Sequence, residues 1–447
     1  MIPESSPGSL RLRLGLRPHL CLRLRPRLRP RLRLPWRLAA ALWMMCALLA
    51  ATPALAQTPS RAEILEAERR AQVELVTEPQ RTSGEKGLVV SAELGRFLSM
   101  FQGGWRGFHF DGGEFPSGAG FAYGVGFTDQ AVRAVLADPD LPNRVDLSFT
   151  AATSTVDYRQ LSGDISLLNI GASWLNLALR GKYFEHPEED FYGLGGDSDE
   201  DERSFYFLGG GQYGADIWLE PVRWFSFGGG AFYLNPHVDP SDRLPSVEDN
   251  FNPGDVPGFE AQPNFMRLDT FVALDFRDQP LLPRAGGYLG VRASNYKDQD
   301  LDKFNFQQYE VDAQYYIPWL QKYRVLALRA NVVISEANEG QEVPFYYMPT
   351  LGGGEKLRGF REFRFRDNDS LLLSAEYRWE AWWPLEMALF VDAGKVFPEH
   401  EDLDFHDLDV GYGIGFRFHS RDAIAFRLDL ARSREGFFPL FRYSHVF

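Results

Sequence analysis

The chain of 447 residues holds two cysteines, Cys21 and Cys46, and both precede residue 56. Disulfides and thiolate metal sites are therefore excluded from everything beyond them. Long apolar runs are also missing. No stretch after residue 56 approaches the roughly 18 apolar residues of a membrane-spanning helix. Positive charge is scarce: the formal net charge is −14, although arginines crowd the segment from Arg11 to Arg37, so the remainder is more acidic still. That balance argues against nucleic acid as a partner. Histidines are few, and His109, His186, His237, His400, His406 and His445 form no H-x-x-x-H pair. No G-x-S-x-G is present, and Gly352-Gly353-Gly354 lacks a following G-K-[ST]. A nucleophile elbow and a phosphate loop are thus both absent. The acidic patches Glu185–Glu189 and Asp197–Glu202 lack calcium-loop spacing and read as solvated external loops. No catalytic group, metal or cofactor is expected.

The first 56 residues do not have the character of a folded domain. Arginine alternates with leucine and proline from Arg11 to Arg37, an apolar run follows from Leu38 to Leu49, and Ala54-Leu55-Ala56 precedes Gln57. A basic region, an apolar region and an A-x-A site together predict a secretory signal peptide over residues 1–56. Residues 57–102 then form a short periplasmic segment. Ile64, Leu65, Ala67, Ala71, Val73 and Leu75 recur at helical spacing, which predicts a short helix over Ala62–Val76.

What the rest contains is aromatic residues (14%), 42 glycines and repeated segments of alternating character. Side chains of a strand point to opposite faces with period two. Alternating segments joined by turn residues, without helical spans, fit an all-β chain folded as a transmembrane antiparallel β-barrel over residues 103–447. Counted back from the C-terminus, strands are expected at 440–447, 423–431, 409–418, 386–394, 370–380, 323–334, 304–317, 286–296, 265–277, 222–234, 204–219, 172–185, 156–168, 144–153, 118–128 and 103–112. That gives sixteen strands, with short connections at one end and long ones at the other. Short turns mark the periplasmic side and long loops the external side. Trp379, Trp382 and Trp383 read as part of an interfacial girdle.

Two motifs stand out between Tyr346 and Lys395. Leu357-Arg358-Gly359-Phe360 sits in the long glycine-rich loop 335–369, and Phe390-Val391-Asp392-Ala393-Gly394 lies on a strand. Phe390, Asp392 and Gly394 share one strand face, and on the preceding strand Glu376, Arg378 and Glu380 share another, opposite the apolar Ala375, Tyr377 and Trp379. A loop arginine folded into a polar lumen has a natural partner in Asp392, because a desolvated Arg–carboxylate pair is bidentate and directional.

These motifs resemble those of the Omp85 superfamily, also called the bacterial surface antigen D15 domain, which includes the BamA- and TamA-like outer-membrane barrels. Three further stretches are similar to family patterns. They are Asp275-Phe276-Arg277-Asp278-Gln279-Pro280 with Pro283 and Gly286, then Phe191-Tyr192-Gly193-Leu194-Gly195, and the alternating aromatic end Phe441, Tyr443, Phe447. The resemblance implies a sixteen-stranded outer-membrane barrel whose sixth external loop places Arg358 in the lumen against Asp392. It implies that Leu357, Gly359 and Phe360 complete the loop motif, and that Phe390 and Gly394 complete the wall motif. It also implies that the C-terminal aromatics serve as the signal by which barrel-assembly machinery inserts this chain. Leu357 stands where valine or isoleucine is usual, and His445 where an apolar residue is usual. The larger departure is that residues 57–102 leave no room for the periplasmic POTRA domains many members carry. The implied function is assistance in inserting proteins into, or moving them across, the outer membrane. Its partners would be outer-membrane lipid, an unfolded client protein and a separate periplasmic receptor. A passive pore for small solutes is the alternative, and a membrane-bound lipid hydrolase a third reading that lacks a nucleophile.

Overall fold

The computed structural model describes residues 107–447, apart from 112, 114, 117, 129–143, 171–173, 281, 321–322, 383–384, 420–423 and 443–446. The expected signal peptide, both cysteines, the helix over Ala62–Val76, Trp383 and Tyr443 lie outside the described residues.

Sixteen strands pair in one sheet in chain order, each antiparallel to the next. They are β1 Phe108–Phe110, β2 Ala122–Thr128, β3 Arg144–Ser154, β4 Arg159–Asn169, β5 Leu175–Phe191, β6 Ser204–Val222, β7 Phe225–Pro240 and β8 Phe265–Asp275. The second half comprises β9 Gly286–Asp298, β10 Phe306–Trp319, β11 Arg324–Ala337, β12 Asp369–Trp382, β13 Leu385–Phe397, β14 Asp409–His419, β15 Ile424–Ser433 and β16 Gly436–Arg442. The two ends of the sheet approach each other. Arg442 on β16 donates from Nη1 to the Phe115 carbonyl, just past β1, at 2.9 Å. Among the described residues no ladder joins β1 to β16.

The alternation sorts side chains by face. On β12, Ser374, Glu376 and Arg378 are buried, and on β13 Glu386, Ala388, Phe390 and Asp392 are buried while Leu389 and Val391 are exposed. The buried face is polar and the exposed face apolar, the inverse of a water-soluble sheet and the arrangement of a barrel in lipid. Paired charges line the interior elsewhere, as in Arg329–Asp312 at 2.8 Å and Arg180–Asp216 at 2.9 Å. At the short-turn ends, Trp174, Trp224, Phe276, Trp319, Tyr323 and Trp382 are exposed. Trp224 and Phe276 stack at 5.2 Å between centroids. This ring of aromatics lies where a girdle meets the membrane interface.

Three expectations are corrected. β16 begins at Gly436 rather than at 440, so only Arg434 and Glu435 turn the last hairpin. Pro439 argues against a strand in sequence, but an edge strand tolerates proline because one side of it is unpaired. β5 continues to Phe191 through the acidic patch, with a register shift between His186 and Glu189 that accommodates Pro187. The patch Glu185–Glu189 is therefore strand rather than solvated loop. Its charges are paired, with His186 Nδ1 at 2.6 Å from Glu189 and Arg243 at 2.6 Å from Glu188.

The candidate site: a loop arginine in the lumen wall

The loop from 338 to 368 enters the interior. A two-residue ribbon, Thr350–Leu351 against Phe365–Arg366, closes its inner part into a hairpin-like unit. Leu351, Leu357, Phe360 and Phe365 pack with the wall residues Leu372 and Val396 in one buried cluster. Phe360 and Phe365 meet edge to face at 5.2 Å. Hydrophobic burial thus fixes the loop on the wall beside the polar motif.

Arg358 is fully buried. Its Nε donates to Asp392 Oδ2 at 2.6 Å, its Nη2 to Oδ1 at 2.8 Å, and its backbone N–H to Oδ2 at 3.1 Å. Its Nη1 donates to Glu376 Oε1. The guanidinium also lies 3.6 Å from the centroid of the Phe390 ring. One side chain therefore makes a bidentate carboxylate pair, a second carboxylate contact and a cation–π contact. The motif residues Arg358, Asp392 and Phe390 come together, and Glu376 from the neighbouring strand joins them.

The other motif positions have steric roles. Gly359 has φ +98°, and its carbonyl accepts from Ser433 Oγ on β15. A Cβ on Gly394 would meet the Leu371 carbonyl at 2.7 Å and Leu351 Cδ1 at 2.9 Å. The loop therefore rests directly on wall backbone, where only glycine fits. Phe441 faces outward, 53% exposed, in an aromatic row with Phe426 and Phe418. Phe447 does not continue that row. Its ring lies against Tyr316, Val325 and Ala327 of the inner wall.

Several participants escape sequence reading. Glu376 also accepts from Arg378 Nε and Arg417 Nη2, each at 2.7 Å, so three guanidiniums share it. Arg427 pairs with Asp429 at 2.9 Å, and Asp429 lies 3.7 Å from Arg358. The inward positions 411, 413 and 415 of β14 are all glycine. A Cβ on Gly411 would fall on the Arg358 carbonyl oxygen. A run of glycines at period two was the available signal: it leaves a bare trough in the wall for the loop to fill.

The other quoted stretches hold the same loop and its surroundings. Gly195 donates its N–H to the Arg366 carbonyl at 2.8 Å, and Arg364 donates to Ser198 Oγ at 2.8 Å and Glu435 Oε1 at 2.7 Å. Above them Phe191, Tyr206, Val247, Phe259, Phe304 and Phe345, drawn from strand ends and several long loops, belong to the largest apolar cluster among the described residues. At the opposite end Arg277 pairs with Asp275 at 2.8 Å, and Asp278 Oδ1 accepts from the backbone of Arg284 at 2.9 Å and Ala285 at 3.1 Å. Facing β3 to β8 the lumen keeps polar cavities of about 530 and 340 Å³, which share Lys182, Gln212 and Arg267 in their linings.

Residues 257–434 match the Omp85 superfamily domain. No curated protein matches the chain. Among solved structures, BamA from Haemophilus ducreyi lacking POTRA domains 1–3 is similar at a TM-score of 0.52 and 17% identity, over 74% of this chain and 67% of that one. CdiB from Escherichia coli aligns at a TM-score of 0.49 and 12% identity, over 74% of this chain and 59% of that one. CdiB from Acinetobacter baumannii aligns at 0.42 and 12%, over 74% and 56%. The chain thus spans between about half and two thirds of these proteins. The family domain and the likeness to BamA from Haemophilus ducreyi support the barrel fold.

Proposed function

We propose that this Omp85-type outer-membrane barrel assists the insertion of proteins into the outer membrane, or their passage across it, with the loop that carries Arg358 latched inside the lumen. The carrying observation is the burial of Arg358 on Asp392 and Glu376. A guanidinium taken out of water needs well-placed carboxylates, and removing one partner of such a pair is strongly destabilising. A loop with no purpose in the lumen would not require that arrangement. The external loops packed into one apolar cluster support the same reading, because a passive diffusion route is better served by an open mouth.

No nucleotide, metal or catalytic group enters this account. An unfolded barrel protein gains free energy from its own strand pairing and from transfer of its apolar face into lipid. The assisting barrel would lower the barrier to that process. A separate periplasmic receptor would deliver the client. A passive pore for small solutes is the second reading, favoured by the polar cavities along β3 to β8.

The test is insertion into liposomes. Vesicles bearing the chain should bring an added unfolded outer-membrane barrel into a protease-resistant form faster than bare vesicles do. Equal rates, together with a large steady conductance in planar bilayers, would overturn the reading in favour of the pore.

A further inference from the structure

The loop that carries Arg358 is also fastened at its outer end, by the buried Arg366. Nη1 of Arg366 donates to the Phe345 carbonyl at 2.7 Å and Nη2 to the Tyr206 hydroxyl at 3.2 Å, while Gly195 donates its N–H to the Arg366 carbonyl at 2.8 Å. Tyr206 in turn donates to Glu189 Oε2 at 2.8 Å, and Glu189 Oε1 lies 2.6 Å from His186 Nδ1. Phe345 is the buried start of a single turn, Phe345–Tyr347. Tyr346 and Tyr347 line the cavity of about 340 Å³, and His186 lines it too. Arg366 therefore clamps the turn that walls this cavity on the side of the long loops.

The two fastenings differ in kind. Arg358 is bound by the carboxylates of Asp392 and Glu376. Arg366 bonds to neutral oxygens, a carbonyl and a phenol, and reaches Glu189 through Tyr206. Its Nε is buried without a hydrogen-bond partner. A buried guanidinium held in this way is poorly compensated for the water it has lost. Between the two arginines Phe363 has φ +56°. That left-handed region is strained for a bulky side chain and persists only where the surroundings impose it. One end of the loop is thus fixed to the wall at β12 and β13, and the other is held down against strain and desolvation.

We infer that Arg361 to Arg366, with the turn Phe345–Tyr347, form a releasable cap over the β3 to β8 cavities, that Arg366 is the positioning residue holding it shut, and that it opens while the Arg358 latch stays closed. On release the guanidinium regains water, Phe363 relaxes to an ordinary backbone conformation, and Tyr346 and Tyr347 leave the cavity wall. The cavity then opens to the external side. Such a cap controls access to the lumen whether the lumen serves a client polypeptide or small solutes.

The test is the labelling rate of a thiol placed inside. Gln212 lines both cavities. Gln212→Cys is made in the full chain with Cys21→Ser and Cys46→Ser, and a membrane-impermeant maleimide is added to intact cells bearing the protein. In that background Arg366→Ala should be labelled at least tenfold faster than its parent, while its heat transition in detergent gels stays close to the parent's; Arg358→Ala should lower that transition. Tyr206→Phe keeps the packed ring and removes the oxygen that Arg366 bonds to, so it should also speed labelling, and it serves as the readout should Arg366→Ala fold poorly. Phe363→Gly should be labelled at least threefold more slowly than the parent, because glycine adopts that φ without strain; a mere loss of packing would speed labelling instead. Parental labelling rates in Arg366→Ala and Tyr206→Phe, faster labelling of Phe363→Gly, or a Tyr206→Phe heat transition as low as that of Arg358→Ala would overturn the cap.

Discussion

At the scale of single residues, the account turns on Arg358. Replacing it with alanine leaves Asp392 and Glu376 buried without their shared cation, and breaking such a pair costs about 3–5 kcal/mol. Heat-modified mobility in detergent gels should therefore move to lower temperature for Arg358→Ala. Arg358→Lys should recover only part of the loss, since an ammonium cannot span both Asp392 oxygens and Glu376 with fixed planar geometry. Gly411→Ala is a sharper test. It removes no charge and no contact, yet its Cβ falls on the Arg358 carbonyl oxygen. It should weaken the barrel toward the level of Arg358→Ala in the same gels. Gly163→Ala, where the nearest atoms lie 3.9 Å from the added Cβ, should leave the transition unchanged.

At the scale of elements, the loop 338–368 behaves as a packed insert rather than a tether. Phe360 is fully buried with Leu357, Leu351 and Phe365. Phe360→Ala should cost about 3–5 kcal/mol and should expose the loop, so that limited trypsin digestion of membrane-embedded protein cuts at Arg361 faster than in the parent. An unchanged cleavage rate would mean that polar contacts alone hold the loop. Strand elements were legible because their alternation is strong: β12 and β13 read as charged on one face and apolar on the other, and the ladder keeps that sorting. The start of β16 was not legible, since Pro439 mimics a boundary that an edge strand does not obey. Nor was the far end of β5, where acidic residues imitate a loop while pairing with Arg243 and His186. In the site, Arg358 and Asp392 stood out as motifs, but Glu376, Arg417 and Arg427 did not. Glu376 and Arg427 each have one partner on their own strand, Arg378 and Asp429, but the contacts of Glu376 with Arg358 and Arg417 join segments distant in sequence, and nothing local marks which inward charges meet.

At the scale of the whole molecule, the interior is divided. The β11 to β15 side holds the loop and its ion pairs, while the β3 to β8 side retains the polar cavities. Deleting residues 352–364 should raise single-channel conductance in planar bilayers, because the excised segment occupies part of the lumen. Conductance that stays at the parent level would mean that the loop does not limit the path.

The most direct test of the latch as part of a working barrel is a double-mutant cycle in the liposome insertion assay. Arg358→Ala, Asp392→Ala and the double variant would be compared with the parent for the rate at which a client becomes protease-resistant. Residues acting as one unit are non-additive. The account predicts that each single variant slows insertion at least tenfold and that the double variant is no slower than the worse single one. Rates that match the parent in all three variants, or losses that multiply, would contradict it.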